Sequence, residues 1–355
     1  MFLGGKRIYL GKGNLIVIKI YKQLVDKIEP IKINTMKKLD KFNIHFNSSL
    51  NDFCPEVEFE IIDGREVLSV ANDFSDNNWQ FGKFQKFIFN NIAQTALSKK
   101  ERDNIIDDTY GTLIEAAKKL RFIDKNNSKT DTEGSELAEI LLYGIMHHHY
   151  KALPVVPKIF NKQNSNDNAK GADSVHIVLE EENEFSIWYG EAKFYNSLED
   201  NRLYEIVNSV LNIFSDSAFN TENRILSNSN DLKEYLKDNA NLLNKIISVL
   251  DTNEPIDYVK ARLNIPILLL HECKITKQQK ENTDEYIERI LNYQKERVQS
   301  FYQKLYNKAI KDNIKTKPII NFDKIKFHFI FFPVPNKEAI ISNFLNRAES
   351  LRNEL

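Results

Sequence analysis

Two carboxylates and an amine in the middle of this chain, Asp173, Glu191 and Lys193, have the types and spacing to act on a phosphate ester. Between them lie two short apolar runs, Ser174–Leu179 and Phe185–Tyr189, flanking Glu180-Glu181-Glu182-Asn183-Glu184. Acidic residues suit a solvated turn better than a strand, so the stretch reads as a β-hairpin. A turn centred on Glu182 pairs Val175 with Tyr189, Ile177 with Ile187 and Leu179 with Phe185. Extending that register sets Asp173 opposite Glu191, with Cβ atoms roughly 4.5–5.5 Å apart. Glu191 and Lys193 are two residues apart, so both side chains leave the same face of their strand.

Two carboxylates this close repel each other and desolvate poorly. A divalent cation resolves the conflict, and Mg2+, with Mn2+ as a substitute, takes a few hard oxygen ligands plus waters. Lys193 then stands where it can hold the attacking water or stabilise charge developing on a phosphate. The constellation implies metal-assisted phosphodiester hydrolysis. A third acid is expected from the preceding helix, where Glu136 and Glu139 share one face of an otherwise apolar run. Glu139, deeper in that helix, is the chosen metal ligand and Glu136 the fallback.

Each signal also has a plainer reading. Asp173 could end a loop, and Glu191 with Lys193 could be an exposed strand end. Two other acid-x-Lys triplets exist. Asp231-Leu232-Lys233 falls on a helical pattern, while Glu272-Cys273-Lys274 follows a good strand, Ile265–Leu270, but lacks an aspartate opposite. His147-His148-His149 cannot grip one ion, because consecutive helical residues point about 100° apart; a helix end with histidines near the negative dipole pole explains them better. Lys170, just before Gly171, is either a phosphate contact or, as loop lysines usually are, simply solvated. The helix Lys280–Lys311 carries Arg289, Lys295, Arg297, Lys304 and Lys308, either a DNA-facing surface or a solvated face.

The supporting elements follow from periodicity. Strands are expected at Arg7–Leu10, Leu15–Tyr21, Glu56–Ile62, Glu66–Ala71 (after a turn at Asp63-Gly64-Arg65), Ile265–Leu270 and Phe327–Phe332, the last ended by Pro333 and Pro335. Helices are expected near Phe81–Leu97, Ile105–Leu120, Gly134–Tyr150 (Thr132 or Ser135 capping), from Ser197 with Asp200 as a capping pair, over Glu281–Ile310, and from Lys337. Asp124–Glu133 and Asn161–Lys170 read as loops. The fold class is α/β, a mixed central sheet flanked by helices, with residues 1–95 as an N-terminal α/β portion and 96–355 as the catalytic domain.

Composition bounds the rest. Lys and Arg total 49 against 50 Asp and Glu, so any DNA-binding face must come from local clustering. Two distant cysteines, Cys54 and Cys273, exclude a disulfide framework and fit a reducing compartment. The absence of a signal-like or membrane-length apolar run predicts a cytoplasmic protein without membrane contact.

The order of Gly134-Ser135-Glu136-Leu137-Ala138-Glu139-Ile140-Leu141-Leu142-Tyr143, Lys170-Gly171-Ala172-Asp173-Ser174-Val175-His176-Ile177 and Gly190-Glu191-Ala192-Lys193-Phe194-Tyr195 resembles HamA, the nuclease family of bacterial Hachiman anti-phage systems. The likeness is strongest over residues 105–215. It implies a restriction-endonuclease-like (PD-(D/E)xK) core, with the motif on Asp173, Glu191 and Lys193 and Glu139 as the helix acid. It further implies a DNase held in check by a helicase partner, HamB. Two rivals stand beside this reading: a non-catalytic DNA- or partner-binding subunit, and a stand-alone restriction-type endonuclease.

Overall fold

The computed structural model describes residues 37–54, 65–105, 108–120, 134–161, 171–250, 259–308 and 324–354. The expected strands Arg7–Leu10, Leu15–Tyr21 and Glu56–Ile62, the loops at Asp124–Glu133 and 162–170 with Lys170, and the cap candidate Thr132 lie outside those residues. The chain divides into two units, Met1–Lys37 and Lys38–Leu355, and the second contains both cores and the candidate site.

In chain order the strands are β1 (Lys37–Leu39), β2 (Phe42–Ser49), β3 (Arg65–Ala71), β4 (Phe74–Ser75), β5 (Asn78–Trp79) and β6 (Leu153–Val156). They continue with β7 (Ser174–Leu179), β8 (Phe185–Tyr195), β9 (Leu263–Glu272) and β10 (Lys326–Val334). The principal helices are α1 (Phe81–Ala96), α2 (Thr109–Lys118), α3 (Ser135–His148), α4 (Lys158–Asn161) and α5 (Asp200–Ile213). After them come α6 (Asp216–Ser227), α7 (Ala240–Leu250), α8 (Asp284–Tyr306) and α9 (Lys337–Arg352).

Among the described residues, all strands but the β4–β5 ribbon form one eight-stranded mixed sheet, ordered β1-β2-β3-β10-β9-β8-β7-β6. Its centre is parallel, β3 beside β10, β10 beside β9 and β9 beside β8, while β2 and the β6–β7 pair join antiparallel. The apolar run of β9 is what a parallel strand covered on both faces requires. On one face Val175, Ile177, Ile187 and Tyr189 pack with Leu203, Ile206 and Val207 of α5, and with α7 and α8. On the other, Trp188, Ala192 and Phe194 pack with Leu137, Leu141 and Ile145 of α3, and with α1 and α9. Odd and even residues of β8 therefore serve different helix layers, the two-residue period of a strand seen directly.

One close approach locks α3 to the hairpin. A Cβ on Gly190 would lie 2.2 Å from Ser174 Oγ and 2.8 Å from Leu142 Cδ2. Gly190→Ala is expected to destabilise the chain by roughly 1–3 kcal/mol through overpacking, read as a lower urea midpoint. An unchanged midpoint would show that the contact yields freely.

Several boundaries differ from expectation. The helix expected at Ser197 starts at Asp200, with Glu199 as N-cap and no side-chain cap bond. Gly134, not Ser135, caps α3, and the Ser135 hydroxyl turns to Glu139 inside the helix. β10 runs through Pro333 to Val334 rather than ending before it. Its last partner in β3 is Ser69, opposite Phe331, so at Pro333 the ladder continues on the β9 side alone, against His271. A residue without an N–H is tolerated where one side asks for no donor.

Candidate active site

The hairpin register is the expected one: Ser174 pairs with Gly190, Val175 with Tyr189, Ile177 with Ile187 and Leu179 with Phe185. The chain reverses at Glu181–Asn183, where Glu182 (φ 57°) and Asn183 (φ 59°) are both left-handed. β7 begins at Ser174, one residue after Asp173. The Asp173 N–H still donates to the Gly190 carbonyl at 2.8 Å, and its Oδ2 accepts the Ala192 N–H at 3.0 Å. A carboxylate thus takes the place of a backbone carbonyl just beyond the strand, which fixes its position against β8.

Glu191 and Lys193 project from the β8 face that packs on α5, the same face as Ile187 and Tyr189. Lys193 Nζ stands 3.5 Å from Asp173 Oδ2 and closer still to Glu191 Oε1. The two carboxylates converge on one ammonium. Ser209 of α5 donates its hydroxyl hydrogen to the same oxygen, Glu191 Oε1. The Glu191 side chain is 3 % exposed, those of Asp173 and Lys193 17 % and 28 %, so the cluster meets solvent through the aspartate and the lysine.

The electrostatics follow from burial. Desolvation, then the charge of Asp173, push Glu191 up to about 7 despite Lys193 and Ser209. Burial pulls the other way on Lys193, but Asp173 and Glu191 outweigh it and hold the ammonium above its ordinary value. Burial is the larger cause and Asp173 the second, so two carboxylates share this point with a single ammonium. Two hard oxygens at such a point meet the usual protein share of Mg2+, which keeps several waters of its own. The donor set therefore fits that cation.

Glu139 is placed differently. It is buried in α3, with Oε1 accepting the Ser135 hydroxyl at 3.1 Å. Glu136 is buried in the first turn of the same helix. α3 covers the sheet face of Trp188, Ala192 and Phe194, whereas Glu191 and Lys193 alternate to the other. Among the described residues no three His, Cys, Asp or Glu side chains are grouped to hold a metal ion. The structure brings Asp173, Glu191 and Lys193 together and leaves Glu139 outside that group.

The competing triplets have structural work. Glu272 Oε2 accepts the Lys337 N–H at 3.0 Å, capping α9, and its Oε1 lies 3.5 Å from Lys277. Asp231 sits on a short helix and accepts the Lys99 N–H at 2.8 Å. His147, His148 and His149 end α3, each held below its ordinary value chiefly by burial. On α8, Arg297 and Lys304 reach Asp200 at 3.7 and 3.5 Å, and Lys308, two residues past its end, bonds Asn208, so these cations tie α8 and the segment after it to α5.

Sequence reasoning missed Ser209, the buried Lys158–Glu222 pair and the close approach at Gly171. The signal for Ser209 was a hydroxyl inside the Ile206–Val210 stripe, beside residues that had to face the sheet. For Glu222 no such periodic signal exists, since its partner is remote in sequence.

No helix among the described residues is long and apolar enough to cross a membrane. No curated protein matches the chain. The family model described as HamA matches residues 47–348, from the end of β2 through β3, the hairpin and most of α9. The chain belongs to the HamA family.

Proposed function

We propose that this protein is a Mg2+-dependent deoxyribonuclease acting in Hachiman antiviral defence under the control of a helicase subunit, HamB. The observation that carries the chemistry is the convergence of Asp173 and Glu191 on Lys193 at the open end of the β7–β8 hairpin. Family membership supports the defence role, and with it the restriction-endonuclease-like, PD-(D/E)xK description of the core. In this reading Asp173 and Glu191 hold Mg2+, or Mn2+ in its place. The bound cation supplies Lewis acidity toward a phosphate oxygen and a more acidic water. Lys193, kept charged by its two neighbours, acts as a donor to the phosphate or the attacking water rather than as a base. Ser209 keeps the Glu191 carboxylate turned toward the cluster. Glu139, the helix acid that the family pattern implies, stands outside the trio and is given no part in holding the ion in this reading.

Titration calorimetry of the full chain with Mg2+ or Mn2+ tests the foundation. Binding is expected in the wild type and lost in Asp173→Asn. Heat that persists unchanged in the variant, or no binding at all, returns the chain to the class of non-catalytic binding subunits. Efficient cleavage of purified DNA without the helicase would favour a stand-alone endonuclease.

A further inference from the structure

Behind the candidate site lies a charge pair shielded from solvent. Lys158 Nζ of α4 stands 2.7 Å from both carboxylate oxygens of Glu222 on α6, with the two residues 7 % and 1 % exposed. A buried pair of this kind is a weak stabiliser, because desolvating two ions offsets most of their attraction, and apolar or neutral replacements of like volume often fold as well. What the pair touches is more informative. A Cβ on Gly171 would lie 1.9 Å from Glu222 Oε1, so the carboxylate rests on bare backbone two residues before Asp173. The next residue, Asn223, accepts the Tyr189 hydroxyl hydrogen through Oδ1 at 2.5 Å, two residues before Glu191. One helix, α6, therefore touches both arms of the hairpin, each time two residues from a site carboxylate.

We propose that Lys158 and Glu222 are positioning residues whose pairing holds the Gly171 backbone in place, so that Asp173 stays within reach of Glu191 and Lys193. Lys158 fixes the Glu222 carboxylate, Glu222 seats the chain at Gly171, and the two-residue step to Asp173 leaves its side chain little freedom. The value of that placement rests on the metal-binding reading of the site, but the placement itself is measurable without metal. Its marker is the Ala192 N–H, which donates to Asp173 Oδ2.

The test uses the full chain carrying Lys158→Met and Glu222→Gln together, which removes both charges and leaves no buried ion alone. Hydrogen exchange without metal is expected to show protection of the Ala192 amide reduced about tenfold, while amides in β9 keep theirs, as for a local release rather than global loss. Mn2+ affinity by calorimetry is expected to fall by about 10–100-fold, the usual effect of removing a group that orients a ligand. Unchanged Ala192 protection in the folded double variant overturns the proposal. Should that variant not fold, Gly171→Ala provides the second route, since the added methyl displaces Glu222. Loss of Ala192 protection there supports the proposal, and its retention overturns it. Wild-type protein that binds no Mn2+, together with variants that lose Ala192 protection, would refute the metal reading and leave the positioning role standing.

Discussion

Glu191→Gln is expected to lower Mg2+-dependent DNA cleavage by about 10²–10³-fold, the scale of removing one charged group from a preorganised site, without unfolding the chain. The amide keeps the volume of the side chain and can still accept the Ser209 hydroxyl, so the packing of β8 against α5 is preserved. What disappears is the buried one of the two carboxylate charges in the cluster. Lys193→Ala is expected to lose comparable activity for a different reason: the carboxylates remain, but the charged donor to the phosphate is gone. The two variants should separate in stability. Without metal, Lys193→Ala leaves Asp173 and Glu191 facing each other unrelieved, whereas Glu191→Gln removes that repulsion. Cleavage measured with Mg2+ and the helicase partner, alongside urea unfolding without metal, checks both halves. Near wild-type cleavage by both variants would end the catalytic assignment.

The second large effect concerns pH. Glu191 titrates near 4.5 when exposed and is pushed up to about 7 in the fold by burial and by Asp173. Between those values the folded chain binds more protons than the unfolded one, so stability falls as pH rises from about 4.5 to about 7 and levels off above. A shift of this size corresponds to up to about 3 kcal/mol. The metal-free protein is thus expected to be more resistant to urea at pH 5 than at pH 8, the acid side being limited only by other carboxylates. Glu191→Gln should flatten that slope, and so should saturating Mg2+, which stabilises the ionised pair in place of a proton. Metal binding should accordingly release a proton below pH 7. A wild-type stability profile that rises steadily from pH 5 to pH 8 would show that Glu191 is not the acid described.

The parts of this architecture that could be read in advance are those whose information is local. The β7–β8 register follows from alternating apolar residues on either side of an acidic turn, and a one-residue slip would have exposed Ile177 and Ile187. The apolar stripe of α5 and the run of β9 were legible for the same reason. β6 was not, because four residues containing Pro154 carry too little pattern; at the outer edge of the sheet, where it pairs with β7 alone, such a segment is acceptable. β2 was legible and was not read: Asn43, His45 and Asn47 alternate with Phe42, Ile44 and Phe46 at the strand period, although its pairing shifts register between Ile44 and Phe46. The N-terminal portion, residues 1–95, supplies β2 and β3 to the same sheet as the hairpin, a placement set by β10 from the far end of the chain. The Lys158–Glu222 pair shares that character: 64 residues separate its members, and neither helix declares the other.

The hairpin has a consequence for how the site comes into being. Asp173 lies 19 residues from the amide it accepts and 20 from the lysine it contacts, so closing this loop costs little chain entropy. The parallel neighbour β9 arrives only after the long excursion through α5, α6 and α7. The reactive trio can therefore take shape in the first stages of folding. The slower closure of the distant strands would then decide how long it persists, and damage to β1–β3 would shorten its lifetime without altering its geometry.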